Sequence, residues 1–248
     1  MAFKLRLAPI LLVAVILVSV SANLTGPARA TQRRALIMSS VDKTEPFGYY
    51  GVYIADRLKS IGYAVTTLKD EQVTIDLMLS GLNAYDVIIW RTDSYSWAHR
   101  NYWYVGEMAT QWVLSSYSND FANYALDNHA GIVGVNLSFF QRHYSSLSLS
   151  MVKLAIILTS MSSAIATEFN HAGAQSVMFC VNTISLQFGM VDDLAGQVVS
   201  YLAMGYKLSD AIWTTVSPYL SSVPPEDPLD STYSPPFWYL GDGSLTIS

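Results

Sequence analysis

The sequence predicts an α/β protein, a three-layer α/β/α sandwich around a mainly parallel sheet of about five or six strands. Three observations predict it. Short, mainly apolar runs at 35–39, 86–90, 152–158 and 176–180, with a further strand at 64–68, read as largely continuous apolar strands, as strands covered on both sides require. Segments with apolar residues at helical spacing alternate with those runs. Finally, 51% of the residues are hydrophobic and only 13% charged, which supplies a sizeable core and argues against disorder.

Residues 35–39 form the first expected strand. A loop with Pro46 and Gly48 follows, then a helix over 49–61 carrying Tyr50, Tyr53, Ile54, Leu58 and Ile61 on one face and stopped by Gly62. A second strand covers 64–68, a short helix 74–82, and a third strand 86–90. Residues 94–150 are rich in Tyr, Trp, Ser and Asn, and read as an irregular insertion with one internal strand at 131–137. The regular pattern returns with a strand at 152–158, a helix at 163–172 ended by Gly173, and a strand at 176–180. Helices follow at 191–204 and 208–216, the latter capped by Ser209 or Asp210. The last stretch, 221–248, is proline-rich and reads as an extended tail packed on the domain, anchored by Phe237, Trp238 and Tyr239. There is no internal repeat.

The N-terminus carries Lys4 and Arg6, an unbroken apolar run at 10–18, and small residues ending in Ala28-Arg29-Ala30. That order is the export-signal pattern, and it assigns residues 1–30 to a signal peptide. The apolar run is shorter than the roughly 20 residues of a membrane span. If the signal were retained, it would tether the domain outside the cytoplasm, and membrane contact is expected only through such an uncleaved segment. Its removal leaves roughly 220 residues, enough for one domain.

A net charge of −5 with no basic run excludes nucleic acid as a natural partner. The single cysteine, Cys180, excludes a disulfide framework and a cysteine-based metal site. Its four histidines, His99, His129, His143 and His171, show no metal-ligand spacing, so neither metal nor cofactor is expected.

Ligand sites in open parallel sheets form at the carboxyl ends of strands. Two such ends stand out: Trp90-Arg91-Thr92-Asp93-Ser94 after the third strand, and Leu158-Thr159-Ser160-Met161-Ser162-Ser163 after the fourth. The chain resembles the caspase/gingipain-type cysteine peptidases, in particular uncharacterised secreted prokaryotic relatives. The resemblance is carried by YDVIIWRTDS at 85–94, LSFFQRHYSSLSLSMVKLAIILTSMSS at 137–163, IATEFNHAGAQSVMFCVN at 165–182, LAMGYKLSDAI at 202–212 and EDPLDSTYSPPFWYLGD at 226–242. It implies a caspase-like sheet, with a histidine after the third strand and a nucleophilic cysteine after the fourth.

This chain departs from the pattern at both positions. Asp93 stands at the histidine position and Met161 at the cysteine position. A thioether has no proton to lose and cannot attack a carbonyl as a thiolate does. A carboxylate, ionised at neutral pH, is a poor acid for the leaving amine. The resemblance therefore implies a peptidase fold without peptidase chemistry. The fallback nucleophiles are Ser160, Ser162 and Cys180, with polar loop serines and a buried structural thiol as the plainer readings. Adjacent Asp192 and Asp193 are explained by N-capping and the helix dipole.

The segment 95–117 holds seven aromatic residues, among them Tyr95, Trp97 and Trp103. Arg91, Asp93, Tyr95, Trp97 and Trp103 are the candidate binding residues, for a protein or peptide partner or a sugar; packing into a satellite core is the alternative. Asn136-Leu137-Ser138 matches a glycosylation sequon. Three functions remain open: a non-catalytic exported binding domain, an active hydrolase with a relocated nucleophile, and a structural component of the cell envelope.

Overall fold

The structure, a computed structural model, describes residues 32–180, 188–220 and 236–248. The expected export signal and the proline-rich stretch through 221–235 lie outside the described residues.

The fold is a three-layer α/β/α sandwich. Its central sheet has six strands: β1 (Arg34–Ser39), β2 (Ala64–Lys69), β3 (Val87–Arg91), β8 (Leu154–Leu158), β9 (Ser176–Cys180) and β10 (Phe237–Gly241). The spatial order is β10-β9-β8-β3-β1-β2. All pairings are parallel except β10 with β9. The chain passes from β1 outward to β2, then crosses to the opposite side for β3, so the direction of winding switches between β1 and β3.

Alternation along each strand divides the core in two. Ala35, Ile37, Val87, Ile89, Ile156 and Met178 face one layer. That layer contains α1 (Gly48–Ser60), α6 (Phe188–Ala203) and α7 (Leu208–Leu220), which contribute Ile54, Leu58, Leu194, Val198, Leu202 and Leu208. Leu36, Met38, Ile88, Trp90, Ile157 and Val177 face the other layer. There they meet Phe139 and Phe140 of α4 (Leu137–His143) and Ile165 and Phe169 of α5 (Ser162–His171). Burial on both faces is why β1, β3, β8 and β9 read as mainly apolar runs, whereas the edge strand β2 is only half-buried.

The segment expected to be irregular is a folded unit. It holds a second, antiparallel sheet in the order β4-β5-β7-β6, from β4 (Ser94–Trp97), β5 (Arg100–Met108), β6 (Leu126–His129) and β7 (Ile132–Val135). Two short helices, α2 (Gln111–Ser116) and α3 (Ser118–Ala122), lie between β5 and β6. The expected strand at 131–137 is β7; three more strands accompany it. Trp103, Val105, Val133 and Val135 point into the core shared with the large sheet. Gly106 interrupts the β5 ladder with φ +104, and a Cβ there would lie 2.2 Å from the Asp70 carbonyl oxygen. Only glycine permits that approach, and the register shift it creates hides the strand's alternation.

Two further elements differ from expectation. The helix predicted at 74–82 is a π turn at Leu77–Gly81 continued by a 3-10 turn at Leu82–Ala84, still burying Ile75, Met78 and Leu82. The tail does not end as an extended wrap: Phe237–Gly241 hydrogen-bonds to β9 as the sixth strand. Phe237 is fully buried, as an anchor should be, whereas Trp238 is 54% exposed and anchors nothing.

Candidate functional site

The carboxyl ends of β3 and β8 meet. Thr92 N–H extends the ladder to the Leu158 carbonyl at 3.1 Å, and Thr92 Oγ1 donates to the Tyr104 carbonyl at 2.6 Å. The chain then turns at Asp93, whose exposed carboxylate accepts the Ser94 N–H at 2.7 Å. Beyond β8 the chain passes through Thr159, Ser160 and Met161 before α5 starts at Ser162. Met161 sits in the left-handed region, φ 55° and ψ 28°. A side chain there costs about 1–2 kcal/mol, so surrounding contacts must hold the turn. They do: Ser94 and Ser160 share a hydrogen bond between their hydroxyls, and Trp103 Nε1 donates to the Ser160 carbonyl at 3.2 Å. Asp93 and Met161 are thus each one residue from a member of the serine pair that joins the two turns.

The remaining predicted residues separate into buried and exposed groups. Arg91 is 1% exposed. Its Nε donates to both carboxylate oxygens of Asp192 at 2.9 and 3.1 Å, its Nη1 donates to the Glu45 carbonyl at 2.6 Å, and its guanidinium lies 5.2 Å from the Phe47 ring centre. It fastens the end of β3 to α6 and the 41–47 loop, and it presents no cation to a ligand. Asp192 corrects a second expectation. Because α6 starts at Phe188, Asp192 falls inside the helix, and its carboxylate is buried against Arg91 instead of capping an N-terminus. Burial pushes its pKa up to about 6 against the opposing pull of Arg91. Asp193 accepts from Gln197 Nε2 at 2.9 Å, one turn along the helix.

Among the fallback nucleophiles, Cys180 is buried, and burial pushes its thiol up to about 12, far from the thiolate form. Ser162 is fully buried and donates to the Cys180 carbonyl at 2.7 Å. Ser160 is half-buried and bonded to Ser94. Among the described residues none of the three is hydrogen-bonded to a histidine. His143 Nε2 pairs with Asp120 Oδ1 at 3.0 Å, and His129 stacks on Tyr95 with ring centres 4.3 Å apart. Nor do the described residues contain a His/Cys/Asp/Glu group that could hold a metal.

The candidate aromatics divide likewise. Trp103 is fully buried and belongs to the core. Tyr95 is packed between Tyr102 and His129, and its hydroxyl donates to Asp127 at 3.0 Å. Burial and the neighbouring Asp127 charge hold the Tyr95 phenol protonated. Trp97, near the tip of the β4–β5 hairpin, is 59% exposed. The sequon residue Asn136 is 3% exposed: its Oδ1 accepts the Ser138 N–H at 2.8 Å as the N-cap of α4, and its Nδ2 donates to the Tyr124 carbonyl. That side chain is committed to the fold.

Two clefts flank these elements. One, of about 360 Å³, opens between the β4–β5 hairpin and helices α4 and α5, with His99, Arg100, Asn101, Trp103, Ser138 and Gln141 in its wall. The other, of about 250 Å³, lies between α1 and β2 and is lined mainly by Phe47, Gly51, Val52 and Ala55 with Lys59 and Lys69.

Sequence reasoning found the two strand tips but not the Arg91–Asp192 pair. A signal existed for each partner. Arg91 ends a strand that is otherwise wholly apolar, and Asp192 shares its helical stripe with Ala195 and Val199. A charge on each of two buried stripes implies a counter-charge.

No protein-family model matches the chain, and no curated protein matches it. Among solved structures, a short-chain flavodoxin associated with a non-canonical PDU bacterial microcompartment is similar at 10% identity, over 65% of this chain and 91% of the flavodoxin, with a TM-score of 0.31. Among the described residues, no helix is long and apolar enough to cross a membrane.

Proposed function

We propose that this chain is an exported caspase/gingipain-like domain that has lost its peptidase chemistry and uses the surface at the carboxyl ends of β3 and β8 to bind a protein or peptide partner. The observation that supports this reading best is the joining of the two turns by Ser94 and Ser160. It brings together the neighbourhoods of Asp93 and Met161, the two positions where the resemblance calls for histidine and cysteine. The left-handed Met161 turn is consistent with a strand tip shaped to present a reactive side chain, now occupied by a thioether. Relocated catalysis gains little support from Cys180 and Ser162, which are buried, or from Ser160, which faces another serine.

The test is peptide hydrolysis by residues 31–248, measured beside the double variant Asp93→His with Met161→Cys. The expected result is no cleavage by the native chain and gained cleavage or rapid thiol alkylation in the double variant. Cleavage by the native chain that disappears in Ser160→Ala would overturn the proposal. Export is tested separately, by N-terminal sequencing of the chain recovered outside the cytoplasm.

A further inference from the structure

We infer that the outward face of the small sheet, at the tip of the β4–β5 hairpin, binds an acidic sugar: the rings of Trp97 and Tyr124 take the apolar face of a pyranose, and Arg100 takes its carboxylate. The strand register places these groups. Trp97 pairs with Arg100 and Tyr95 with Tyr102, and directly opposed residues of an antiparallel pair share a face. Asn101 and Trp103 alternate to the other side, where Trp103 enters the core. The Arg100 guanidinium lies over the Tyr124 ring, 5.3 Å from its centre.

The three side chains are exposed yet held in place. Trp97 is 59% exposed and Tyr124 56%, and Arg100 is exposed as well. Between Trp97 and Arg100 the two-residue turn of Ala98 and His99 has φ 50° and 60°, a conformation usually given to Asn-Gly, which closes the hairpin tightly. Tyr124 is left-handed too, with φ 58°, a conformation that an aromatic residue seldom adopts. Two buried side chains clamp its carbonyl: the Tyr102 hydroxyl donates to it at 3.2 Å, and Asn136 Nδ2 donates as well. An exposed ring is thus fixed from below by core residues.

Arg100 has no carboxylate partner among the described ion pairs. Stacking uses the flat face of a guanidinium and leaves its edge N–H groups for a planar anion such as a carboxylate. Asp127 shares the outward face, but it accepts the Tyr95 hydroxyl and pairs with Gly134, which pairs with Tyr104. That register sets it four residues along from Arg100, roughly 13 Å away. The hairpin end of the face is therefore positive, although the chain carries a net charge of −5 and has no general attraction for polyanions.

Size selects the occupant. An aromatic side chain covers roughly 150–250 Å². Two exposed rings and a guanidinium fall short of the roughly 800 Å² that each partner gives to a stable protein interface. One or two sugar rings match the patch, because the C–H face of a pyranose is apolar and a uronate carries its carboxylate at the ring edge. Trp103 bonds to Ser160 from the other side of the sheet, so this site is separate from the one proposed above and independent of the peptidase resemblance.

The experiment is calorimetric titration of the purified chain with tetramers of galacturonate and of mannuronate, and with the methyl ester of each. At least one acidic tetramer binds, and its ester binds about ten-fold or more weakly, as loss of a charged hydrogen bond implies. Trp97→Ala weakens the acid by about ten-fold or more, as loss of a covered ring implies. Arg100→Gln brings the acid down to the level of its ester. Trp213→Ala, which removes a similarly exposed ring from α7, leaves binding unchanged. Binding by neither acidic tetramer, equal binding of acid and ester, a Trp97→Ala titration matching Trp213→Ala, or displacement of the sugar by hexaglutamate at matched concentration overturns the inference.

Discussion

The two sheets are built under different rules. In the six-stranded sheet, β1, β3, β8 and β9 bury both faces almost completely, and the polar side chain within β3, Arg91, is matched by a carboxylate from another layer. In the four-stranded sheet one face carries Trp103, Val133 and Val135 into the core. The other face carries Tyr95, Trp97 and Tyr104 together with Asp127 and His129, and none of these is fully buried. A polar group in the first sheet has nowhere to go except to a partner. A polar group in the second mixes with aromatic rings at the edge of solvent. Errors in the large sheet should therefore be costly and global, and errors in the small sheet cheaper and local.

The largest expected effect is Asp192→Ala. It leaves Arg91 buried without its carboxylate, a loss on the order of 3–5 kcal/mol, readable in urea unfolding. A loss below about 1 kcal/mol would mean that Arg91 relaxes to solvent, and the contrast between the sheets would fail at its strongest point.

Next is the pH profile of the same pair. The Asp192 pKa rises on folding from an ordinary 3.8 to about 6. The folded protein thus keeps a proton that the unfolded chain has released. This contribution is fully present below the lower value and is lost as pH rises through the upper one. Across that window the native protein should lose stability with rising pH, relative to Asp192→Asn, by on the order of 1 kcal/mol per pH unit. Parallel profiles for the two proteins would remove Asp192 as the titrating group.

In the small sheet, a Cβ at Gly134 would lie 2.3 Å from the Tyr95 hydroxyl. Gly134→Val should cost about 1–3 kcal/mol and release the Tyr95–Asp127 bond, while amide exchange in β1, β3 and β8 stays slow. Global acceleration would show that the two sheets unfold as one unit. The smallest effect is Asn136→Ala, which removes the α4 cap for about 1 kcal/mol. In a glycosylating host Asn136 itself should stay unmodified by intact-mass measurement.

The same contrast explains what was legible in the sequence. β1, β3, β8 and β9 announce themselves because two-sided burial forbids polar alternation. The small sheet does not: its strands are mostly four residues long, its outward face is aromatic, and Gly106 breaks the longest strand's alternation. The last strand was masked for another reason. Pro235 and Pro236 immediately precede Phe237, and proline is tolerated at a strand's entry as readily as in an extended tail. At the candidate site, the two strand tips were readable as loops following apolar runs. The Arg91–Asp192 pair was not: each partner is a charge on an apolar stripe, but they lie 101 residues apart and nothing local matches one to the other.

Arg33, beside the first strand, donates from Nη1 to the carbonyl of Ile247 at 2.9 Å, so the two extremities of the folded body meet. The connectivity is almost a closed loop. A short linker from Ser248 to Arg33 would therefore close the ring with little distortion, and fresh ends cut in an exposed loop such as 145–148 would yield a circular permutant with the same layers. For the same reason the body can be spliced into a surface loop of an unrelated host protein, entering and leaving through one narrow gap.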